Sequence, residues 1–179
     1  MFYILINFLS LVQYCDALNS GIEQKRPDCC IYCGLMKPWR HAVYPRKPDH
    51  ESPPGESLNP ILIQRYYCHG CGKTFSALPE CIPPRRWYLW EVQQAVLLLF
   101  TLGQSAYEIA KTSTPSYKTI SRWLARFQEQ FRLHKDTLSA RITELSLTSG
   151  VAEFWQACLK KMTLGAAMRL CHVAEVIIP

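Results

Sequence analysis

From Trp87 onward the apolar positions recur at helical spacing; before it they do not. Val92, Ala95, Val96, Leu99 and Phe100 fall at i, i+3, i+4, i+7 and i+8, which predicts a helix over Trp87–Leu102 with these residues on its inner face. Gly103 stops it. A short helix is expected over Ser105–Lys111 with Ile109 and Ala110 inward, then a turn over Thr112–Ser116. Ser116 is placed to cap a third helix, Tyr117–Leu133, whose apolar stripe is Ile120, Trp123, Leu124, Phe127 and Phe131. Two more helices are expected over Asp136–Leu147 and Val151–Val173.

The first half reads differently. Ile61–Cys68 (ILIQRYYC) is rich in branched and aromatic residues and predicts a strand, with Lys73–Ser76 as the outgoing strand of one hairpin. Pro45–Pro60 is polar and proline-rich, cannot donate a regular ladder of backbone hydrogen bonds, and reads as a flexible loop. Residues 1–14 are apolar enough to raise a signal peptide. No Lys or Arg precedes the run, however, Asn7, Ser10 and Gln13 interrupt it, and it is short for a bilayer. A buried strand or short helix is the expectation, with no membrane partner and a cytoplasmic location.

The fold class expected is α+β, mostly α: a small β module, identified as a zinc ribbon by the cysteine pairs CIYCG (Cys30–Gly34) and CHGCG (Cys68–Gly72), followed by a homeodomain-like helix-turn-helix domain over the predicted helices. The divisions are 1–26 as an apolar lead-in, 27–82 as the ribbon with its loop at 45–60, 83–134 as the helix-turn-helix, and 135–179 as C-terminal helices.

Cysteine usage supplies the chemistry. Two segments, CIYCG (Cys30–Gly34) and CHGCG (Cys68–Gly72), each hold two Cys separated by two residues and followed by Gly. Cys30, Cys33, Cys68 and Cys71 together offer four thiolates, the complete tetrahedral shell of a structural zinc site. Glycine lets the backbone turn tightly enough to aim amides at the sulfurs. Cys29 is an alternative to Cys30, at a spacing less usual for such sites. His69, inside the second knuckle, is left out of the ligand set, as are His41 and His50. The nine Cys, an odd number, argue against a secreted disulfide scaffold. A closed four-thiolate shell has no open position, so the metal should hold the fold and not activate water.

The formal net charge of +6 favours an anionic partner without identifying one. The third predicted helix sharpens this. Lys118, Arg122 and Arg126 recur every four residues as a basic stripe, with Tyr117, Thr119 and Ser121 beside it. A helix about 10–12 Å across fits the major groove of DNA, where Lys and Arg neutralise phosphates or read guanine edges. Arg85 and Arg86 could grip the backbone at the entrance of the first helix. The alternative is an amphipathic helix with a solvated basic face. Tyr66, Tyr67, Phe75 and Trp39, near the knuckles, could stack on bases, but packing the small module is the expected use.

Four segments carry a resemblance: CIYCG, RYYCHGCGKTFSALPE (Arg65–Glu80), IPPRRWYLWEV (Ile82–Val92) and EIAKTSTPSYKTISRWLARF (Glu108–Phe127). Together they resemble the zinc-ribbon plus helix-turn-helix region of bacterial insertion-sequence transposases and their accessory proteins, and more closely an uncharacterised transposase-like family of this layout. The turn departs from that pattern: Ser113, Thr114, Pro115 and Ser116 stand where leucine, glycine, valine and serine are usual. The resemblance implies recognition of mobile-element DNA in a bacterium.

Catalysis has little support. Asp136, Glu144, Glu153 and Glu175 follow the helix-turn-helix, but residues 135–179 are too few for a sheet-based two-metal nuclease. The expected function is therefore a zinc-stabilised, non-enzymatic DNA-binding protein of transposon type. The alternatives are a helix-turn-helix regulator, or an interaction module of a larger transposase. The partners expected are double-stranded DNA, a catalytic transposase subunit, and a second copy through the C-terminal helices.

Overall fold

The computed structural model describes residues 2–5, 7–22, 24–53, 55–84, 87–174 and 176. Among the described residues the architecture is α+β and mostly α, with seven α-helices and a four-stranded sheet. The chain forms two compact units, Met1–Leu89 and Trp90–Pro179, so the division falls later than the 82/83 boundary the prolines suggested.

The first unit is built on the sheet, in the order β1-β4-β3-β2. β1 (Phe2–Leu5) runs parallel to β4 (Thr74–Pro79), while β3 (Ile61–Tyr67) is antiparallel to both β4 and β2 (Trp39–Arg46). The apolar lead-in is thus part of the sheet and its core, not a separate segment. β1 is followed by α1 (Leu11–Asn19), which Ser10 starts through a capping box with Gln13. α1 buries Leu11, Tyr14 and Ala17. Leu11 and Tyr14 pack with Leu5, Ile61, Ile63, Tyr66, Phe75 and Leu78 in one core that also takes in Cys30 and Cys68. Tyr14 donates its hydroxyl to the Leu62 carbonyl at 2.8 Å and accepts from Gln24 Nε2 at 2.8 Å. Burial, first, pushes its pKa up to about 12.

Two features here go beyond the sequence reading. β2 lies where no strand was predicted, because its residues are mostly exposed and show no apolar alternation. Beyond Arg46, where β2 ends, the described residues of Pro45–Pro60 carry no helix or strand, as expected of a loop, and Asp49 ties them together. Asp49, only 8% exposed, accepts N–H groups of Glu51, Ser52 and Leu58 at 3.2, 3.1 and 3.1 Å, and its own N–H donates to Asn59 Oδ1. One carboxylate replaces the missing strand ladder.

The second unit is helical. α2 (Trp90–Thr101), α3 (Ala106–Thr112) and α4 (Tyr117–Glu129) pack on one another, and α6 (Val151–Lys161) and α7 (Leu164–Val173) pack on α2. α5 (Phe131–Ser139) follows α4 after a break at Gln130 and leads into a 3-10 turn, Thr143–Leu147. The expected single helix to Leu133 is thus two, and so is that over Val151–Val173. At the second break Thr163 caps α7, its side chain accepting the Ala166 N–H. The face of α2 also differs. Trp90, Val92, Gln93, Val96, Leu97 and Thr101 are buried, whereas Ala95 is exposed and Leu99 and Phe100 are half-buried. A helix apolar almost all round does not fix its own phase; the packing of α6 and α7 does. Among the described residues no helix is long and apolar enough to cross a membrane.

Candidate metal centre and helix-turn-helix

The two knuckles are built alike. Cys30 donates its N–H to the Leu35 carbonyl at 2.8 Å, and Gly34 donates to the Cys30 carbonyl at 2.9 Å. Cys68 donates to Lys73 at 3.0 Å, and Gly72 to Cys68 at 2.9 Å. The same two bonds at the same offsets thus curl each segment and turn its two sulfurs the same way. The second knuckle is the tip of the β3–β4 hairpin. The first is closed by an isolated antiparallel bridge between Cys29 and Met36, and tied further by Arg26 Nε donating to the Pro38 carbonyl at 2.6 Å.

The sulfurs of Cys30, Cys33, Cys68 and Cys71 all lie within 4.8 Å of one another and can hold a metal ion. Cys30 and Cys71 are 3.8 Å apart, Cys33 and Cys68 3.5 Å. A tetrahedron with metal–sulfur bonds of about 2.3 Å has sulfur–sulfur edges of roughly 3.8 Å, so the donor set fits a thiophilic cation. These distances are far beyond a disulfide bond of about 2.05 Å. Cys30 and Cys68 are buried and Cys33 is exposed. The Tyr32 N–H points at Cys30 Sγ at 3.4 Å.

Hydrogen bonding among the sulfurs shifts two of the thiols in opposite directions. Cys68 is pushed down to about 7, first by the Cys71 backbone N–H. Cys33 has the Leu35 N–H to lower it, yet the sulfurs of Cys68, Cys71 and Cys30 push it up to about 12. Four sulfurs this close cannot all ionise without a cation among them.

The other ligand candidates stand aside. Cys29 is exposed and outside the cluster. His69 stacks on Trp39, with ring centroids 5.0 Å apart. His41 lies against Tyr67 and His50 against Trp87. Cys158 and Cys171 are buried in the helical unit, and burial pushes their thiols up to about 11 and about 12.

The residues expected to meet DNA lie on α4, apart from Arg85 and Arg86, which lie outside the described residues. α4 buries Ile120, Trp123, Leu124 and Phe127 and leaves Tyr117, Lys118 and Arg122 exposed. Thr119, Ser121 and Arg126 are half-buried at the edges of that face. Ser116 occupies the N-cap position of α4, but its hydroxyl meets Thr119 Oγ1 at 3.1 Å and makes no capping bond. Arg122 Nε donates to the Lys118 carbonyl at 3.3 Å, which lays the guanidinium along the stripe. α3 carries a full capping box between Ser105 and Glu108. It also exposes a pair not singled out in the sequence, Tyr107 and Lys111, with Lys111 Nζ 4.4 Å over the ring. Their i, i+4 spacing was the available signal.

No curated protein and no solved structure matches the chain. One family model does, over residues 30–123, just over half of the chain. The matched segment opens at the first clustered cysteine and closes inside α4, taking in both knuckles, strands β2, β3 and β4 and the α3–α4 turn, but not β1 or α1. The chain belongs to the family described as a domain of unknown function, DUF6431.

Proposed function

We propose that this protein is a zinc-stabilised DNA-binding protein of the insertion-sequence type, which recognises duplex mobile-element DNA and does not itself catalyse strand transfer. One observation carries the reading: the second helix of a helix-turn-helix buries Ile120, Trp123, Leu124 and Phe127 and turns Tyr117, Lys118 and Arg122 to solvent.

In this reading α4 enters the major groove. Lys118 and Arg122 supply charge, and the planar guanidinium of Arg122 can make the bidentate contact that reads guanine. Tyr107 and Lys111 on α3 contact phosphates. Cys30, Cys33, Cys68 and Cys71 hold one zinc ion, whose part is to fix the knuckles to the sheet. The resemblance of the knuckle, proline and helix segments to transposase-associated proteins supports a mobile-element role.

The test is selection of binding sites from a random duplex library by the full-length, zinc-loaded chain. The wild type should enrich a short motif. Arg122→Ala should lose preference at the base pair it reads, while Arg122→Lys keeps affinity with relaxed specificity. Recovery of unselected sequence by a folded wild type would overturn sequence recognition through α4.

A further inference from the structure

We propose that the exposed face of the four-cysteine module around Trp39 is a stacking platform for unpaired nucleotides. Trp39 opens β2, an edge strand, and is 55% exposed. It pairs in register with Tyr67, the last residue of β3 before Cys68, so the two side chains share one face of the sheet. Their rings are 6.4 Å apart. Trp39 stacks on His69 at 5.0 Å and 25°, and His41 lies 5.9 Å from Tyr67. Four rings from two strands and a knuckle thus form one continuous patch.

Packing of the small module does not account for it. Tyr66 and Phe75 do that work: they are buried, paired in register between β3 and β4, and stacked at 5.8 Å. Side chains alternate along β3, so Tyr66 faces the core and Tyr67 the opposite side. The indole of Trp39 remains more than half in water, at the start of the strand that leaves the first knuckle.

Charge selects the occupant. Lys37, two residues before Trp39, and Arg65, two residues before Tyr67, are both exposed, and residues 35–48 and 61–79 hold no Asp or Glu. Arg65 is exposed, shares the face of Tyr67 two residues on, and donates to Thr74 Oγ1 at 2.8 Å. Open aromatic faces beside cations suit bases that are out of a duplex, with phosphates on the cations. Paired bases are stacked on each other and offer no free face. The platform therefore adds a single-strand contact to the protein, and it does not depend on the duplex reading of α4.

The experiment uses the full-length, zinc-loaded chain and fluorescent oligothymidylate or oligouridylate of about 20 nucleotides, read by anisotropy at low salt. Wild type should bind, and the preferred oligomer tells whether DNA or RNA is held. Trp39→Ala should weaken that binding roughly tenfold or more, while Trp39→Phe retains most of it and zinc content is unchanged. Arg122→Ala should leave it intact, so failure of the duplex reading and failure of the platform are separable. A bromodeoxyuridine oligomer crosslinked to the unmutated chain should leave adducts on Trp39, Tyr67 or His69, which keeps the test valid if Trp39→Ala misfolds. No single-strand binding by the folded chain, binding indifferent to Trp39→Ala, or adducts confined elsewhere would overturn the proposal. Capture of an acidic peptide without any oligomer binding would mark the face as a protein contact instead.

Discussion

Gly34 and Gly72 occupy equivalent places in the two knuckles, with φ of 74° and 67°, and each donates its N–H to the carbonyl of the cysteine that opens its turn. Nothing lies within 4 Å of the position a Cβ would take at either residue. The constraint is therefore the left-handed backbone and not space. Gly72→Ala should destabilise the metal-loaded first unit by about 1–2 kcal/mol, and Gly72→Asn by less, because Asn tolerates this conformation. Denaturant unfolding of the two variants checks the order.

Cysteine substitutions should separate ligand from bystander. Cys68→Ala should abolish stoichiometric zinc, about one ion per chain in the wild type, while Cys29→Ala leaves it bound. Chelation should expose Cys30, Cys33, Cys68 and Cys71 to alkylation and remove hydrogen-exchange protection from the knuckles and β3–β4. Metal content by mass spectrometry and mapped alkylation read both. Retention of zinc by Cys68→Ala would show the ligand set to be wrong.

Asp49 links the long segment between the knuckles to pH. Burial opposes ionisation of its carboxyl, but the N–H groups of Ser52, Leu58 and Glu51 outweigh burial and hold its pKa below the ordinary 3.8. A depressed folded-state pKa means this contribution is fully present above the unfolded pKa and is lost as pH falls through the folded one. Asp49→Asn turns one accepting oxygen into a donor facing N–H groups and should cost about 1–3 kcal/mol near neutrality. The gap between wild type and variant should close below about pH 4. Comparing the two proteins cancels the acid lability of the metal site they share.

Trp155 makes the C-terminal helices part of the helix-turn-helix unit. It is fully buried and meets Phe127 of α4 edge-on at 5.2 Å and Phe154 at 5.0 Å. Trp155→Ala should destabilise the helical unit by about 3–5 kcal/mol. Residues 90–134 alone should not fold cooperatively, because α2 and α4 lose the surfaces that cover them. A dispersed amide spectrum from that fragment would contradict this.

The parts legible in the sequence were those set by local spacing. The knuckles announce themselves through paired cysteines and a following glycine, and the α3–α4 turn through the stripe Ile120, Trp123, Leu124 and Phe127. What escaped was set by distant partners. β2 has an edge-strand sequence with Pro45 and a bulge between Arg40 and Ala42, so it shows no alternation to read. The inner face of α2 is chosen by α6 and α7. The split at Thr163 was readable in principle, since a threonine before Leu-Gly-Ala is an N-cap signal inside an otherwise continuous helical pattern. The platform at Trp39 needed the β2–β3 register, which no local pattern supplies.

The most direct test of the central claim is duplex DNA binding by the zinc-loaded chain, followed by anisotropy across a salt series. The account predicts binding that weakens steeply with salt, with Arg122→Ala lowering affinity and reducing the slope of log K against log salt by about one. A folded, metal-loaded protein that fails to bind duplex at low salt, or that binds it identically with Arg122→Ala, would contradict it.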